Sequence, residues 1–479
     1  MKNYQVIVLF FCLSVLMTSQ LFAQWEADQR LTNTAGNSFL TNNNTWCIAA
    51  SGDTIHVIYN DNENGAYQVY YTSSYNGGVN WNTPIIISQD LSNIWDYTLA
   101  VSGSTVHIIW ENNIENQFLY RRSTNAGATW SAENTILTTP ANFIMPCLAA
   151  NGNNIYLVWS DTRHPVNNSE IYFMSSSDAG LNWSTPQRLT NTANGIGDGV
   201  PSIAVNGDFL HLVWQRGPGY DARTLYIRST NNGLSWEPEQ FITTDTVNQT
   251  QPCIAVSGNY VHTVWTDVRN DTLQIFYRMS QDNGINWEPE IPLTHDIIMA
   301  DYQTISAIGR NVHVAWRDYR FSNQWHIGYR RSNDNGQTWQ PDTFLYDAFH
   351  QESPSIAVAG TKVHLIWIDN RDGNWEIYYK RNPTGSGIEE QEIENWKLKT
   401  DNLSVFPNPA SSYFTVRLLQ SADRSEIKIF DVTGKLVGDC HAIARNDNTV
   451  SVSLNGIKNG VYFVKIGEEI VREKLVITK

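Results

Sequence analysis

Positive charge is scarce in this sequence. Its 32 Lys and Arg residues are outnumbered by 47 Asp and Glu residues, which gives a formal net charge of −15 at pH 7. A surface that binds the phosphate backbone of nucleic acids needs a positive electrostatic field. The composition therefore argues against nucleic acid as a partner.

Long apolar runs are missing after the first 25 residues, where no stretch approaches the roughly 20 apolar residues of a membrane-spanning helix. The start of the chain has the pattern of a secretory signal peptide, with Lys2, an apolar core from Val6 to Met17, and the small residue Ala23 before the expected cut. We predict that residues 1–23 are removed. The mature chain is then exported and carries no transmembrane segment.

Cysteine is rare as well, with five residues in the chain, of which Cys12 leaves with the signal peptide. Cys47, Cys147 and Cys253 occupy the same slot in non-neighbouring copies of a repeat, which places their Cα atoms beyond the ~7 Å limit for a disulfide. Cys440 stands alone near the end. We predict four free, buried thiols, although export leads to an oxidising compartment.

What the sequence does contain is a repeat. The pattern S-x-[DN]-x-G-x-x-W occurs six times at intervals of 49 to 53 residues, at 74–81, 123–130, 176–183, 229–236, 280–287 and 332–339. A second anchor occurs seven times, each copy shortly after a glycine, at 55–59, 106–110, 155–159, 210–214, 261–265, 312–316 and 363–367. Short apolar runs between polar turns indicate an all-β chain.

Each repeat unit is interpreted as four short antiparallel strands, and units of this size form the blades of a β-propeller. The seventh unit ends near residue 383 without a fourth strand. Residues 25–32, "WEADQRLT", match 183–190, "WSTPQRLT", and supply that strand. The sequence therefore predicts seven blades, with the last one shared between the two ends of the repeat region, residues 24–383.

The octapeptide resembles the Asp-box of the BNR repeat, which occurs in the sialidase superfamily and in other propellers. The resemblance covers residues 25–383 and implies a structural role for the box. An Asp or Asn side chain bonds to the backbone of its own turn, and glycine permits a positive φ. The six side chains in this role are Asn76, Asn125, Asp178, Asn231, Asp282 and Asp334.

The end of the chain departs from the repeat. Residues 384–402 are charged and are interpreted as a linker, and residues 403–479 contain alternating strands that predict a small β-sandwich. The runs "FPNPASS", "GVYFVK" and "KLVITK" closely resemble the C-terminal sorting domain of the type IX secretion system. The resemblance implies export across the outer membrane of a Gram-negative, Bacteroidetes-type bacterium, with the type IX machinery as a partner.

Candidate binding residues follow the second strand of four units. Four Asp–Arg pairs recur there: Asp161 and Arg163, Asp267 and Arg269, Asp318 and Arg320, and Asp369 and Arg371. They suit hydroxyls and an anionic sugar, or they tie each loop to its neighbour. The loop least like the others adds Tyr220, Asp221 and Arg223 as candidates.

Histidines also recur, once in most blades, at 56, 107, 211, 262, 313 and 364. Equivalent positions around a wide ring lie too far apart to share a metal at bonds of ~2 Å. We predict buried, hydrogen-bonded histidines, no metal site and no cofactor.

The resemblance to sialidases also raises the question of catalysis. Active sialidases carry an Arg in an "RIP" motif, two further Args, a Tyr–Glu pair and an acid Asp. This chain has no "RIP", and neither the Tyr–Glu pair nor the acid Asp can be placed on matching positions. The leading hypothesis is a secreted or cell-surface propeller that binds a glycan or another extracellular polymer. The alternatives are an exo-α-sialidase-like glycoside hydrolase with a diverged catalytic set and a protein-binding scaffold.

Overall fold

The computed structural model describes residues 25–383 and the strands of 403–477. Short loop segments lie outside the described residues, at 42–46, 90–92, 140–142, 165–167, 193–195, 218–221, 244–247, 270–271, 296–298, 322–323 and 346–348. Residues 1–24 and 384–402, where the signal peptide and the linker are predicted, lie outside them as well. Two compact units result, residues 1–386 and 387–479.

The first unit is an all-β propeller of seven blades, as the sequence predicts. Blade 1 contains β2 (Ser38–Phe39), β3 (Ile48–Ser51), β4 (Thr54–Asp61), β5 (Gln68–Ser74) and β6 (Ile85–Ile86). Both β2 and β3 pair with β4, on either side of the gap at 42–46. Blade 2 contains β7 (Tyr97–Ser102), β8 (Thr105–Asn112), β9 (Gln117–Ser123) and β10 (Asn134–Thr138).

Blades 3 to 6 repeat this antiparallel order without interruption. Blade 3 has β11 (Phe143–Asn151), β12 (Asn154–His164), β13 (Asn168–Ser176) and β14 (Gln187–Arg188). Blade 4 has β15 (Asp198–Asn206), β16 (Phe209–Arg216), β17 (Arg223–Ser229) and β18 (Gln240–Phe241). Blade 5 has β19 (Gln249–Ser257), β20 (Tyr260–Asp267), β21 (Gln274–Ser280) and β22 (Ile291–Pro292). Blade 6 has β23 (Ala300–Ile308), β24 (Asn311–Phe321), β25 (Gln324–Ser332) and β26 (Thr343–Leu345).

Blade 7 joins the two ends of the propeller. It contains β27 (Gln351–Ala359), β28 (Lys362–Asp369) and β29 (Glu376–Asn382), and its fourth strand is β1 (Gln29–Arg30). Gln29 lies opposite Tyr379 and Arg30 opposite Tyr378. The predicted closure by the N-terminal segment is confirmed.

The fourth strands are shorter than the sequence suggests, since five of the seven have two residues. Most are preceded by or include proline, as in "TPII", "TPQR" and "EPEI". Proline has no backbone N–H to donate and is confined to edge strands. Short outer strands also reduce the risk that two exposed sheet edges pair with each other.

The inner strands of blades 3 to 7 carry a bulge at one equivalent place. Five non-glycine residues adopt positive φ angles of 51° to 57° there: Met145, Val200, Gln251, Tyr302 and Ser353. Such a conformation is strained for a β-branched residue such as Val200. In four of these blades a proline follows the strained residue, so no ladder donor is lost at the bulge.

A repeated three-part contact joins neighbouring blades. In blade 5, His262 Nδ1 lies 2.7 Å from the hydroxyl of Tyr277. The ring of Tyr277 meets Trp339 of the blade 6 Asp-box edge-on, with ring centroids 4.9 Å apart. A Cβ atom on Gly336 of that box would lie 1.8 Å from the same hydroxyl, so only glycine fits. Each of the other five histidines pairs with a tyrosine in the same way.

Blade 3 is the exception to this contact. Tyr156 and Phe173 replace the histidine and the tyrosine, and their rings stack with centroids 6.3 Å apart. The Tyr156 hydroxyl donates to Asn232 of the next Asp-box over 2.5 Å. The cysteines fill space in the same interior, since Cys47, Cys147 and Cys253 are free and buried as predicted. The side chain of Cys440 lies outside the described residues.

The second unit contains seven strands in two sheets. They are β30 (Leu403–Phe406), β31 (Tyr413–Leu418), β32 (Glu426–Asp431), β33 (Leu436–His441), β34 (Thr449–Ser453), β35 (Gly460–Ile466) and β36 (Glu469–Ile477). One sheet has the order β30-β31-β34 and the other β33-β32-β35-β36. The predicted sandwich remains a prediction. No helix among the described residues has the length and hydropathy of a bilayer span.

Candidate functional site

The propeller has two different faces. The Asp-box turns and the hairpins between first and second strands share one of them, as shown by the Asn283 N–H, which donates to the carbonyl of Asn259 over 2.9 Å. The loops between second and third strands, and those leading into the next blade, lie on the other face, which we call the top face. Converging loops on a rigid scaffold are the usual place for a ligand site.

The Asp-boxes form self-contained turns. In the blade 5 box, Ser280 Oγ donates to Asp282 over 2.8 Å and accepts from the Gly284 N–H over 2.9 Å. Asp282 also accepts from the Asn286 N–H over 2.8 Å. The equivalent backbone bond from Asn182 is the main reason that the pKa of Asp178 falls to about 2. These contacts stay within the turn and give it a fixed shape.

In the Asp–Arg pairs of the top face, the arginine binds the aspartate of its own pair. Asp161 is fully buried, and its two oxygens accept from Nε and Nη2 of Arg163 over 2.9 and 2.5 Å. The indole N–H of Trp159 donates to the same carboxylate over 3.0 Å. The guanidinium lies 4.4 Å from the centre of the Tyr172 ring. Its side chain is 27% exposed, so its outer edge is accessible while the carboxylate is not.

Blades 5 and 7 repeat this arrangement. Arg269 binds Asp267 and Arg371 binds Asp369 with 2.6 Å contacts, and both aspartates are buried. Asp318 of blade 6 is buried and accepts from the indole N–H of Trp316 over 2.8 Å.

The rest of the candidate set is only partly visible. The side chain of Arg320, and Tyr220 and Asp221 entirely, lie outside the described residues. The guanidinium of Arg223 lies 3.7 Å from the centre of the exposed Phe241 ring. The structure therefore holds each described pair within its own blade and does not bring the pairs together.

Blades 1, 2 and 4 lack this Asp–Arg pair, and the tryptophans of blades 2 and 4 show what it contributes. The indole N–H groups of Trp110 and Trp214 are buried without a hydrogen-bond partner in the described structure. In blade 2, Asn112 stands where blades 3, 5, 6 and 7 have Asp, and the exposed Ile114 stands where they have Arg. A buried unpaired donor costs about 1–3 kcal/mol.

The double variant Asn112→Asp, Ile114→Arg is expected to stabilise the propeller by about 1 kcal/mol. The new carboxylate accepts from Trp110, keeps the loop contacts that Asn112 makes to the backbone of Ile114 and Glu115, and gains an arginine partner. Urea unfolding of the variant and the parent measures the difference. An unchanged or lower free energy of unfolding would show that the pair does not stabilise this loop.

Tryptophans outside the repeat identify a different region. Of the 18 tryptophans, six lie in second strands and six close Asp-boxes. Trp25 occupies the slot of an Asp-box tryptophan in blade 7, and its ring meets Tyr329 edge-on. Trp46 and Trp396 lie outside the described residues. The three that remain, Trp95, Trp325 and Trp375, all lie on the top face, in loops or strand starts of blades 6, 7 and 2.

Trp95 and Trp375 belong to a continuous row of rings. The ring of Phe39 lies 5.9 Å from Trp95, 5.9 Å from Tyr67 and 6.1 Å from Trp375, measured between centroids. Tyr67 and Trp95 lie 4.4 Å apart. Trp95 is 42% exposed and the other three are half-buried. Because these residues come from blades 7, 1 and 2 in succession, the row follows the circumference of the top face.

A polar bridge extends the row into blade 6. His350 lies edge-on to Trp375 at 5.7 Å and contacts Glu352 over 2.5 Å. Glu352 pairs with Arg317 over 3.2 Å. The guanidinium of Arg317 lies 3.8 Å from the centre of the Trp325 ring. We call the five aromatic residues Trp325, Trp375, Phe39, Tyr67 and Trp95 the aromatic arc.

Arg317 is fully engaged in this bridge. Its Nε and Nη2 donate to both oxygens of Asp301 over 2.8 Å each, and the Tyr302 ring lies on it at 4.3 Å. Its side chain is 13% exposed. Burial raises the pKa of Asp301. Arg317 therefore stabilises the surface beneath the aromatic rings. Because its positive charge is neutralised by protein carboxylates, it contributes little to the binding of a ligand.

Two carboxyl groups lie at the opposite end of the arc. Asp96 follows Trp95, and the Glu111 N–H donates to the carbonyl of Asp96 over 3.0 Å. Burial raises the pKa of Glu111 to about 8 and that of Asp96 to about 6. Glu111 is therefore largely protonated at neutral pH and can donate a hydrogen bond. No group of three His, Cys, Asp or Glu side chains suited to a metal occurs in the described part of the chain.

The arc and the acid pair were not identified from the sequence. A repeat pattern indicates only residues that recur, and these side chains occur once each. Removing the repeat positions from the tryptophan count would have found Trp95, Trp325 and Trp375. Nothing in the sequence shows that Phe39 and Trp375, 336 positions apart, are in contact.

Comparison with known proteins agrees with this architecture. A family described as a BNR repeat-like domain matches residues 111–365, more than half of the chain. A secretion system C-terminal sorting domain matches residues 404–478. That domain indicates a secreted protein, extracellular or at the cell surface. No curated protein matches the chain in sequence.

Solved structures share the fold at low identity. The polysaccharide lyase Uly1 is 10% identical, with a TM-score of 0.53 over 76% of this chain and 100% of its own. A Hadza microbial sialidase, Hz136, is 12% identical, with a TM-score of 0.44 over 69% of this chain and 76% of its own. The Trypanosoma rangeli sialidase is 12% identical, with a TM-score of 0.43 over 76% of this chain and 71% of its own. At these identities the likeness concerns the fold alone. The chain belongs to the BNR repeat-like family, as a seven-bladed propeller with a C-terminal sorting domain.

Proposed function

We propose that this secreted propeller binds an extracellular glycan on its top face, with the aromatic arc as the contact surface. The observation that carries the proposal is that every described tryptophan unexplained by the repeat lies in this arc. Tryptophan and tyrosine combine a large apolar face with a polar edge. Such rings suit sugars, which present C–H groups on their faces and hydroxyls around their edges.

The polar groups along the arc support a glycan over an apolar protein partner. Glu352 and His350 interrupt the row of rings between blades 6 and 7, and both side chains are partly exposed, at 26% and 30%. A protein-binding scaffold would present a flat apolar face. Alternating rings and hydrogen-bonding groups match the alternating apolar and polar surfaces of a sugar chain.

The Asp–Arg pairs have a supporting role in this proposal. The described carboxylates of these pairs are buried and already accept hydrogen bonds from protein groups. Their role is therefore to hold the loops in position. The arginines Arg163, Arg269 and Arg371 contribute at most an exposed edge of the guanidinium, at 16–27% of the side chain. The site is therefore asymmetric, located on blades 6, 7, 1 and 2, and not spread around the ring.

The test is a glycan array probed with the chain from residue 24 onward and with the variants Trp95→Ala and Trp375→Ala. Truncation of a central interface tryptophan typically costs 2 kcal/mol or more, so each variant is expected to lose about tenfold or more in affinity. Tyr75→Ala is the matched control, because Tyr75 is an aromatic residue, 48% exposed, at a variable position of the blade 1 Asp-box on the opposite face. Equal binding by all four proteins would contradict the proposed site.

Sialidase-like glycoside hydrolysis is the second candidate, favoured by the acid pair Asp96 and Glu111. A carboxyl that stays protonated near neutral pH is what a general acid requires. The glycans that bind on the array are also assayed for release of reducing ends. Turnover that disappears in Glu111→Gln while binding persists would make the protein a hydrolase; binding without turnover would leave it a binding protein.

A further inference from the structure

The shape of the aromatic arc constrains the ligand beyond its being a glycan. Its rings come from the top ends of four successive blades, 6, 7, 1 and 2. A terminal sugar fits a pocket where side chains from all sides converge. An arc that follows the circumference instead presents an elongated surface.

The spacing of the rings agrees with an elongated ligand. Trp95, Phe39, Trp375 and His350 follow one another at centroid distances of 5.9, 6.1 and 5.7 Å. Each step is comparable to the length of one sugar unit. Consecutive rings can therefore contact consecutive sugars of one chain.

The charged groups along the arc argue against a polyanionic polysaccharide as the ligand. Arg317 is neutralised by Asp301 and Glu352. Arg371 of the neighbouring loop is neutralised by Asp369 and Asp28. At the other end the surface carries the carboxyl group of Asp96, and the whole protein has a net charge of −15. An anionic polysaccharide would be repelled here, because no cation of the described arc lacks a carboxylate partner.

We infer that the top face binds an internal stretch of a neutral polysaccharide, laid along the aromatic arc across several consecutive sugars. This inference rests on the proposed function and adds the ligand class and the binding mode. Both differ from those of a protein that binds a single terminal, negatively charged sugar. Contacts are made mainly through ring faces, so binding is expected to depend little on salt.

The experiment measures affinity by titration calorimetry for neutral gluco-, manno-, xylo- and chito-oligosaccharides, each from disaccharide to hexasaccharide. Alginate and heparin fragments serve as anionic probes, and sialyllactose serves as the terminal-sugar probe. We expect affinity for one neutral series to rise at least tenfold between disaccharide and tetrasaccharide and to change less than twofold between low and high salt. Trp95→Ala is expected to flatten that rise, with a larger loss of affinity for the tetrasaccharide and hexasaccharide than for the disaccharide.

The outcomes separate the two proposals. Full affinity for a disaccharide or for sialyllactose, or binding confined to the anionic fragments with a steep salt dependence, would overturn the inference while leaving glycan binding intact. Flattening by Tyr75→Ala as strong as that by Trp95→Ala would also overturn it, since the gain with length would then not come from the arc. Absence of binding to every glycan would overturn the proposed function and the inference together.

Discussion

Acid is expected to unfold the propeller steeply as the pH falls from about 6.5 toward 3. Burial lowers the pKa of six repeat histidines from 6.5 to about 4 for His56 and to about 3 for the others, His107, His211, His262, His313 and His364. Between the unfolded and folded pKa values, these histidines are protonated in the unfolded chain and neutral in the folded chain. Protons therefore favour the unfolded state, and above pH 6.5 the histidines have no effect.

The expected slope is large because the histidines titrate together. Six protons correspond to about 8 kcal/mol per pH unit at the steepest point. Glu111 and Asp96 act in the opposite sense, since their pKa values are raised and folding favours their protonated forms. Their effect ends near pH 4, where the carboxyl groups of Glu111 and Asp96 become protonated in the unfolded chain as well. Below that pH the histidines act without this opposition.

Blade 3 supplies the control for this prediction, since it forms the same interface with Tyr156 and Phe173. The double variant His262→Tyr, Tyr277→Phe copies that pair into blade 5, where Asn335 of the next Asp-box is available as the acceptor. Urea unfolding followed by tryptophan fluorescence, from pH 7 to pH 4, is expected to show a slope lower by about 1.4 kcal/mol per pH unit. A profile parallel to that of the parent would show that His262 does not contribute.

Loss of the N-terminal strand is expected to destabilise the propeller by at least about 5 kcal/mol, the upper range for breaking one buried ion pair. Removing residues 24–32 deletes β1 and three sets of charged contacts. Glu26 binds both Nε and Nη2 of Arg381, Asp28 binds Lys380 over 2.6 Å, and Arg30 binds Glu376 over 2.7 Å. It also exposes the edge of β29, which is buried along most of its length.

A single substitution tests the closure more finely. Glu376 is buried and holds Arg30 and Thr32 of the N-terminal segment. Glu170 makes the same contacts to Arg188 and Thr190, but within the continuous chain of blade 3. Glu170→Gln is expected to cost about 3 kcal/mol. Glu376→Gln is expected to cost more, because the segment it holds can then detach.

Urea unfolding gives both free energies, and limited proteolysis reports on detachment. Cleavage near residues 25–32 is expected to be much faster in Glu376→Gln than in Glu170→Gln. Equal free energies and equal cleavage in the two variants would show that the N-terminal strand is held as firmly as an ordinary outer strand.

The blade architecture could be predicted because its characteristic residues recur at a regular spacing in the sequence. Tryptophans in second strands and glycines at the Asp-boxes recur at one spacing, and a match between residues 25–32 and 183–190 identified the closing strand. Most fourth strands have only two residues, because the prolines beside them cannot donate to a ladder. The aromatic arc was not predictable from pattern, because contacts such as Phe39 with Trp375 depend on ring closure, which joins residues far apart in sequence.

The closing strand also fixes the order in which the protein can complete its fold. Gln29 and Arg30 are synthesised early, but their partners in β29 come almost 350 residues later. The segment has no place in the propeller until nearly the whole repeat region is available, so the slowest contact to form is the one between the two ends. The first strand therefore stays without its partner until the last blade has been made, and only then can the ring close.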